Sequence, residues 1–341
     1  MKVLMISGDP GVLDSNTDTG KRMTEYREAF GELDILLAYG NVFRFISSFF
    51  SGLKMFFRKK YDVITAQDME HAFLAWVFSK IFGVPWQMQI HTDILSPYFW
   101  KGSFKNKIRV VPAKFLIPRA NCVRVVSDRI KRSLVKLNKD LSGPDKITVL
   151  PIFVDAEKIR QMPIKTDLHK KYPGRFIILM ASRITKEKNI ELAIETVSLI
   201  RANKRILLLI VGDGREIENL KFKTYKLGLN DNIVFEPHTD DLVSYYKTCD
   251  LFLLTSNYEG YCMTLVEASS AGAKIVSSDV GVASEVLEPE NIFKVGDKED
   301  LVEKLTQALS GNLKPPKALK TQTKEEYLRL YLDSFKRCVK K

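Results

Sequence analysis

Short apolar runs rich in β-branched residues recur along the chain, and each ends at a polar or glycine-containing turn followed by a helix-length segment. The first half contains six of these runs, beginning with KVLMIS, and the second half contains six more, ending with NIFKVG. Apolar strands that alternate with helices are typical of parallel sheets covered on both faces. The pattern therefore predicts an α/β protein with two doubly wound sheets.

Two domains and a terminal helix are predicted from the place where this alternation lapses. Near residue 155 the apolar runs stop and prolines become frequent. We therefore predict an N-terminal domain at residues 1–155 and a second domain at residues 156–320. Residues 321–341 have apolar positions at helical spacing, and we expect a helix that packs back on the first domain. Because ligands of open parallel sheets bind outside the carboxyl ends of the strands, we expect a ligand cleft between the domains.

The composition is consistent with this architecture. The chain has 341 residues, of which 45% are hydrophobic and 28% charged, as in globular proteins with two ordinary cores. It contains no apolar run of transmembrane length, and its first residues are too briefly apolar for a signal peptide, so we expect a cytoplasmic protein. The four cysteines form no CxxC pair and no Cys/His cluster, which argues against a structural zinc site and against a disulfide framework.

Positive charge is concentrated in the first half. The net charge is +12, and residues 98–139 contain twelve basic residues but a single acid, Asp128. An excess of this kind indicates an anionic partner. Nucleic acid is disfavoured as that partner, because the chain contains no recognisable nucleic-acid module.

Two glutamates eight positions apart are the first candidate site residues. Glu259 follows a predicted strand that ends at Ser256, and Glu267 lies in the first two turns of the helix that comes next. The turn amides between them would lie at a helix N-terminus, which suits an anion or a sugar hydroxyl. A buried carboxylate at Glu267 needs hydrogen-bond donors, and ribose hydroxyls would supply them. The alternative is a capping acid and a surface acid without a ligand.

Two cations and a glycine turn form the second candidate group. Arg183 and Lys188 bracket the loop after the first strand of the second half, and a guanidinium and an ammonium at that position suit a diphosphate. The next strand ends at Gly212 and Gly214, a turn that leaves room for a flat base. The glycine turn alone is a weak signal.

Taken in order, these segments resemble the family 4 retaining glycosyltransferases of the GT-B fold. SRITKEKNIELAIE is similar to that family's Gly-Arg-Leu-x-x-x-Lys-Gly segment, IVGDG to its base-side loop, and EGYCMTLVE to its Glu-x7-Glu signature. The likeness covers about residues 177–287, and in the first half it is limited to DTGKR and IHTD. The resemblance implies two Rossmann-like domains facing across a cleft. It also implies transfer of a sugar from a nucleotide donor to an acceptor hydroxyl.

The resemblance assigns roles to the candidate residues of the second half. It implies that Arg183 and Lys188 hold the donor diphosphate, that Glu267 binds the nucleotide ribose and that Glu259 binds a hydroxyl of the transferred sugar. It further implies that the donor is a UDP- or GDP-linked sugar and that neither a cofactor nor a metal is needed. The turn residues implied to contact the donor are Gly260, Tyr261, Cys262, Met263 and Thr264.

The resemblance also assigns roles to two residues of the first half. His91 would face the sugar and the acceptor as a catalytic residue, and Gly20 would lie close to the phosphates. A structural histidine after a strand is the alternative for His91. The chain departs from the family pattern at Thr19, Cys262 and Thr264, where the family has glycine, glycine and proline. These departures could reshape the sugar pocket.

Residues 42–60, VFRFISSFFSGLKMFFRKK, are the candidate segment for the acceptor side. On a helical wheel eight apolar residues of this segment share one broad face, and basic residues and serines occupy the other. A core helix would have a similar pattern. Together with the basic stretch at 98–139, the aromatic content favours contact with an anionic membrane. We therefore expect a glycan or lipid-linked acceptor and a protein peripheral to the inner face of the membrane.

Two further functions remain open from the residues alone. One is a sugar-nucleotide epimerase or phosphorylase on the same fold. The two glutamates with the Arg183 and Lys188 loop disfavour an epimerase, and no lysine context suggests the pyridoxal phosphate that phosphorylases use. The other is a catalytically silent nucleotide-sugar binding protein. Nucleotide binding without any release of sugar would separate the silent protein from an enzyme.

Overall fold

Two compact units make up the chain. The computed structural model describes residues 1–40, 42–143, 145–200, 205–319 and 322–340. The first unit consists of Met1–Phe153 and Gln322–Lys341, and the second consists of Val154–Thr321. Each unit contains its own sheet and its own hydrophobic core.

The described residues form twelve strands in two six-stranded sheets. The strands are β1 Lys2–Ser7, β2 Glu32–Leu37, β3 Val63–Gln67, β4 Trp86–Ile90, β5 Cys122–Val125, β6 Ile147–Val149, β7 Phe176–Ala181, β8 Ile206–Val211, β9 Ile233–Glu236, β10 Leu251–Leu254, β11 Ile275–Ser278 and β12 Ile292–Phe293. The paired strands are parallel, in the orders β2-β1-β3-β4-β5-β6 and β12-β11-β10-β7-β8-β9. The predicted class, α/β with two doubly wound sheets, is confirmed.

Helices connect the strands. They are α1 Asp18–Phe30, α2 Val42–Arg58, α3 Asp68–Phe82, α4 Pro97–Gly102, α5 Phe104–Leu116, α6 Asp128–Leu137, α7 Ala156–Gln161, α8 Leu168–Lys171, α9 Ile190–Ile200, α10 Ile217–Lys226, α11 Leu242–Thr248, α12 Met263–Ser270, α13 Ala283–Val286, α14 Lys298–Leu309 and α15 Lys324–Val339. Within the described parts of the chain, no helix combines the length and the apolarity that crossing a membrane would require.

Apolar side chains on both faces hold the sheets between their helices. In β8 all six residues are buried, and they alternate between two core clusters. Leu207, Leu209 and Val211 belong to one cluster, whereas Ile206 and Ile210 belong to the other. A strand that is buried on both faces needs apolar residues at every position, which explains the near-continuous apolar runs of the sequence.

The C-terminal helix α15 is part of the core of the first unit. It packs against α1 through four buried aromatic rings. Tyr331 meets Tyr26 and Phe30 edge-on, with ring centroids 5.1 and 5.2 Å apart, and Phe335 meets Phe30 at 5.2 Å. Edge-to-face aromatic pairs add stability beyond the apolar area that they bury. The first sheet therefore depends on a segment that is remote from it in sequence.

A buried guanidinium also ties α15 to the sheet. Arg124 on β5 is 3% exposed and donates to Gln89 at 2.9 Å and to the Tyr327 hydroxyl at 3.0 Å. Its Cζ lies 4.3 Å from the centre of the Tyr331 ring, a cation–π contact. Buried polar groups need such partners, so these contacts favour one position of α15 on the sheet.

One expectation about the cysteines is wrong. Cys122 on β5 and Cys338 on α15 form a disulfide, although the absence of a CxxC pair argued against one. The two residues are 216 positions apart, and spacing alone carries no signal for a pair that the fold brings together. Cys249 and Cys262 are free thiols.

The apolar face predicted for α2 is divided between core and surface. Phe49 and Phe56 pack on Phe78 of α3, with ring centroids 5.6 and 5.4 Å apart. Phe43 and Phe57, in contrast, are each 81% exposed. The core-helix interpretation and the surface interpretation therefore each describe part of this helix.

Candidate functional site

The loops that carry the candidate residues leave the second sheet at its topological switch point. In this sheet β7 lies between β8 and β10. The chain runs outward from β7 to β8 and β9, then returns at β10 and continues through β11 and β12. Such a point opens a crevice at the carboxyl ends of two adjacent strands, and ligands of open α/β sheets bind there. The loops after β7 and β10 flank that position.

Hydrogen bonds join these two loops to one another. The amide of Asn257 donates to the Glu187 carbonyl at 2.8 Å, and the Asn189 side chain donates to that of Asn257 at 3.2 Å. The Thr255 hydroxyl lies 2.9 Å from the carbonyl oxygens of Lys188 and Asn189. These hydrogen bonds fix the backbone of the two loops, which in turn holds their side chains in position.

An ion pair lies at the centre of the joined loops. Nζ of Lys188 is 2.5 Å from Oε1 of Glu259, and the Ser256 hydroxyl donates to the same oxygen at 2.8 Å. Both charged side chains are 14% exposed. Burial works against the ammonium, but the Glu259 carboxylate outweighs it and raises the pKa of Lys188. Lys188 is therefore a fixed, charged ammonium at the carboxyl ends of β7 and β10.

Arg183 lies in the same loop but is held much less firmly. Its side chain is 79% exposed, and its Nη2 is 3.9 Å from the Glu187 carboxylate. An exposed pair at that distance contributes little stability. The guanidinium can turn toward an anionic ligand at small cost.

Glu267 lies on α12, the helix that follows the β10 loop. The Tyr246 hydroxyl is 3.4 Å from Oε2 of Glu267. Burial raises the pKa of Glu267, and the Tyr246 hydrogen bond opposes that shift. A largely buried carboxylate with one long hydrogen bond has capacity to accept further hydroxyl donors.

The turn into α12 has an unusual backbone. Cys262 precedes the helix with φ of 73°, a left-handed conformation that favours glycine, and its side chain is 8% exposed. Burial raises the pKa of the Cys262 thiol to about 12, and the charge of Glu259 acts in the same direction. The thiol is thus neutral, and its sulfur lies 3.6 Å from the Thr264 hydroxyl oxygen. The residues of this turn lie where the sequence placed them, at the start of the helix.

Close packing against the loop after β7 explains why glycine occupies positions 212 and 214 after β8. A Cβ on Gly212 would lie 2.1 Å from the Ser182 carbonyl oxygen, and one on Gly214 would lie 2.1 Å from that of Ile184. The amide of Ile184 donates to the Asp213 carbonyl at 2.8 Å. Glycine therefore lets the loops after β7 and β8 approach one another closely. That the glycine turn leaves room for the base of a nucleotide stays a prediction.

His91 and Gly20 belong to the first unit. His91 follows β4 directly, and its Nε2 is buried without a hydrogen-bond partner among the described residues. A Cβ on Gly20 would lie 1.8 Å from the Asp14 carbonyl oxygen, and the Gly20 amide donates to the Thr17 hydroxyl at 2.9 Å. Packing therefore accounts for Gly20, and its predicted contact with phosphate stays a prediction.

Acid is expected to destabilise the first unit through His91. Burial, assisted by the charges of Arg124 and Arg22, lowers the pKa of His91 to about 3. Below about pH 6.5 the unfolded chain binds a proton here that the folded chain does not, so stability falls by up to about 1.4 kcal/mol per pH unit. Denaturant unfolding near neutral pH and near pH 5 measures this loss. The His91→Gln variant should lose less stability than the wild type between these two pH values. An equal loss would contradict a lowered pKa of His91.

Two family models match most of the chain. The model described as Glycosyl transferases group 1 matches residues 163–326, and the Glycosyl transferase 4-like domain model matches residues 29–152. The chain belongs to the GT4-type glycosyltransferases of the GT-B fold. The resemblance found in the sequence segments is confirmed.

Curated relatives of this glycosyltransferase are named for different sugars. It is 25% identical over 244 residues to the UDP-Gal:alpha-D-GlcNAc-diphosphoundecaprenol alpha-1,3-galactosyltransferase of Escherichia coli, which covers 69% of this chain and 62% of the relative. It is also 25% identical over 262 residues to the N-acetyl-alpha-D-glucosaminyl L-malate synthase of Bacillus anthracis, covering 74% and 66%. The matched segments thus span about two thirds or less of these relatives' length.

A solved structure confirms the fold. The glycosyltransferase superposes on the crystal structure of Anabaena HepE in complex with UDP with a TM-score of 0.69. The superposition covers 99% of this chain and 94% of that chain, at 18% sequence identity. At that identity the likeness concerns the GT-B fold alone.

Several residues that support the site of this glycosyltransferase were missed in the sequence. Ser256 binds Glu259, and Tyr246 donates to Glu267. Ser256 could have been found, because it is a polar residue at a strand end three positions before Glu259. Tyr246 precedes Glu267 by 21 positions on another helix, and nothing in its local sequence indicates the contact.

Proposed function

We propose that this glycosyltransferase transfers a sugar from a nucleoside diphosphate to an acceptor hydroxyl with retention of anomeric configuration. The observation that carries the proposal is the buried Lys188–Glu259 pair at the switch point, 2.5 Å across, with the exposed Arg183 in the same loop. A fixed ammonium beside a mobile guanidinium suits two adjacent phosphate groups. A carboxylate beside the ammonium suits a sugar hydroxyl.

The diphosphate is the leaving group, and its charge grows as the bond to the anomeric carbon breaks. The electron pair of that bond stays on the phosphate oxygen. Lys188 and Arg183 stabilise this charge, and the amides at the N-terminus of α12 add to the effect. An ammonium has three donors, so Lys188 can keep its bond to Glu259 while it binds a phosphate oxygen. Because Glu259 already holds the ammonium in place, little reorganisation is needed during the reaction.

The state of Glu259 argues against one route to retention, the double displacement. A double displacement needs a free carboxylate as nucleophile. Glu259 instead accepts from both Lys188 and Ser256 at one oxygen, which lowers its nucleophilicity. We infer attack on the same face that the diphosphate leaves. The acceptor oxygen forms the new bond to the anomeric carbon, and its proton passes to the departing phosphate oxygen.

The remaining donor contacts follow from the positions of the other side chains. Glu267 would accept hydrogen bonds from the ribose hydroxyls, since it is largely buried and has a single long bond to Tyr246. We assign His91 to the sugar and acceptor side, because its Nε2 is buried and lacks a partner among the described residues. A neutral imidazole of this kind can bind a hydroxyl without repelling a developing positive charge on the sugar.

Comparisons with relatives support a uridine donor and a lipid-linked acceptor. The Escherichia coli relative is named for UDP-Gal and for a diphosphoundecaprenol substrate, and HepE was solved with UDP. We propose that this chain also uses a UDP-linked sugar, with GDP as the second choice of base. We further propose an acceptor in or near an anionic membrane, in keeping with the basic first unit.

A thermal-shift screen over nucleotide sugars tests the proposal. A ligand that binds only the folded chain raises the chain's apparent melting temperature, by an amount that grows with the ratio of the ligand concentration to its Kd. We expect a UDP- or GDP-linked sugar to raise the melting temperature, and the same compound to release its nucleoside diphosphate when acceptor is added. Stabilisation by a nucleotide sugar without release under any acceptor would instead favour a silent binding protein. No stabilisation by any of them would contradict the proposal.

A further inference from the structure

Helix α5 of the first unit presents a stripe of apolar side chains to solvent. Phe104, Ile108, Val111 and Phe115 are 77, 55, 70 and 44% exposed. Their spacing of four, three and four residues places them on one face of the helix. Single exposed apolar residues are normal on protein surfaces, but an aligned series of four is not.

Helix α2 presents a second stripe. Phe43, Phe50 and Phe57 are 81, 62 and 81% exposed, and Ile46 is 48% exposed. Successive members of the four are three, four and seven positions apart, which follows the helical period. These residues of the α2 apolar face stay exposed, although Phe50 meets Phe49 edge-on and Phe57 meets Phe82 of α3 edge-on.

Helix α3 lies between the two stripes and makes them one surface. It packs against both α2 and α5. Trp76 of α3 meets Phe115 with ring centroids 5.5 Å apart, and Phe49 of α2 stacks on Phe78 at 5.6 Å. Phe73 of α3 is itself 45% exposed. We call the outward side of these three helices the α2–α3–α5 surface.

Positive charge predominates around this surface, although α3 contributes Asp68 and Glu70, the second of which pairs with Arg109 of α5. Residues 42–60 and 97–119 contain eleven lysines and arginines and no aspartate or glutamate. On α5, Lys107 and Lys114 flank the apolar stripe on one side and Lys105 flanks it on the other, and all three are exposed. Two copies of such a surface would repel one another, whereas an anionic surface would be attracted.

We propose that the α2–α3–α5 surface docks on an anionic lipid bilayer. The exposed phenylalanines, Ile108 and Val111 enter the boundary between headgroups and acyl chains, and the flanking lysines contact lipid phosphates. Apolar burial and attraction of basic residues act together in interfacial helices of this composition. The inference deepens the proposed function and rests on it for its purpose, since docking brings the enzyme to a lipid-linked acceptor.

Vesicle co-sedimentation with matched variants tests the docking. We expect the full chain to sediment with phosphatidylglycerol-containing vesicles at low salt, and much less with phosphatidylcholine alone or at high salt. Phe104→Ser and Phe50→Ser should each lower the partition coefficient at least about tenfold, because each removes one inserted aromatic ring. Phe222→Ser is the control, since Phe222 is 58% exposed on α10 of the second unit. It should bind vesicles like the wild type.

Three results would overturn the docking. One is the absence of wild-type binding to anionic vesicles at low salt, and another is equal binding by the stripe variants and the control. The third is a dimer in lipid-free sedimentation that Phe104→Ser or Phe50→Ser abolishes, since the surface would then serve self-association. Titration with UDP and with GDP in the absence of lipid separates the two proposals. Vesicle binding without binding of either nucleotide leaves the docking intact and contradicts the donor assignment. Nucleotide binding without vesicle binding contradicts the docking and leaves the donor assignment intact.

Discussion

Alanine in place of Lys188 is expected to lower kcat/KM for sugar transfer at least about 100-fold, the scale of losing one preorganised charge contact. Nζ of Lys188 is held 2.5 Å from Glu259 and has a raised pKa, so it is charged before the donor arrives. Without it the diphosphate loses a fixed cation as negative charge develops. Initial rates of nucleoside diphosphate release at varied donor concentration measure the effect. Arg183→Ala should give a loss of the same order.

The neighbouring Lys186 provides the control for this substitution. It lies two positions away in the same loop and is exposed. Lys186→Ala should keep activity within about twofold of the wild type, because an exposed charge contributes little. Melting curves of both variants show whether the loss at Lys188 reflects folding instead. Near-normal turnover in a folded Lys188→Ala protein would refute the assignment.

Phe335→Ala is expected to lower the free energy of unfolding of the first unit by about 3–5 kcal/mol, the cost of truncating a buried phenylalanine. Phe335 is 0% exposed, and its ring centroid lies 5.0 Å from Tyr331 and 5.2 Å from Phe30. Its removal leaves a cavity between α15 and α1. The three tryptophans of the chain, Trp76, Trp86 and Trp100, all belong to the first unit, so their fluorescence during denaturant unfolding reports on that unit.

Val339→Ala is the matched control on the same helix. Val339 is 45% exposed, and a surface truncation of this kind changes stability by about 0.5 kcal/mol or less. Equal midpoints for the two variants would show that α15 does not contribute to the core of the first unit. A large loss in the Phe335 variant alone would confirm that it does.

The strands were predictable because the chemistry that defines them is local. A strand buried on both faces must be apolar at nearly every position, and β8 meets that condition at all six of its residues. The order of the strands was not predictable in the same way. It depends on which side of β7 each later strand joins, and nothing in the sequence of β10 specifies its place beside β7.

The candidate site was predictable in its residues but not in its contacts. Lys188 and Glu259 each follow a strand, which marked both as site candidates. They are 71 positions apart, and their direct pairing depends on the adjacency of β7 and β10. From the sequence, Lys188 is expected to bind the diphosphate and Glu259 the sugar, whereas in the structure the two side chains bind one another. The Cys122–Cys338 disulfide was missed for the same reason, since long-range proximity leaves no local signal.

The α2 segment shows a limit of a different kind. A helical wheel separates apolar from polar residues, but it does not show how much of the apolar face a neighbouring helix covers. Phe49 and Phe56 pack on Phe78 of α3, whereas Phe43 and Phe57 are each 81% exposed, although all four share the apolar side of the wheel. Only the packing of α3 decides between them.

The central claim is that Lys188, fixed by Glu259, holds the diphosphate of a nucleotide donor. Isothermal titration of the wild type, Lys188→Ala and Lys186→Ala with UDP, and then with GDP, tests it most directly. We expect one of these ligands to bind the wild type and Lys186→Ala alike, and to bind Lys188→Ala at least about tenfold more weakly, the loss of one charge-assisted contact. Equal affinity for all three proteins, or no binding of either ligand to the wild type, would contradict it.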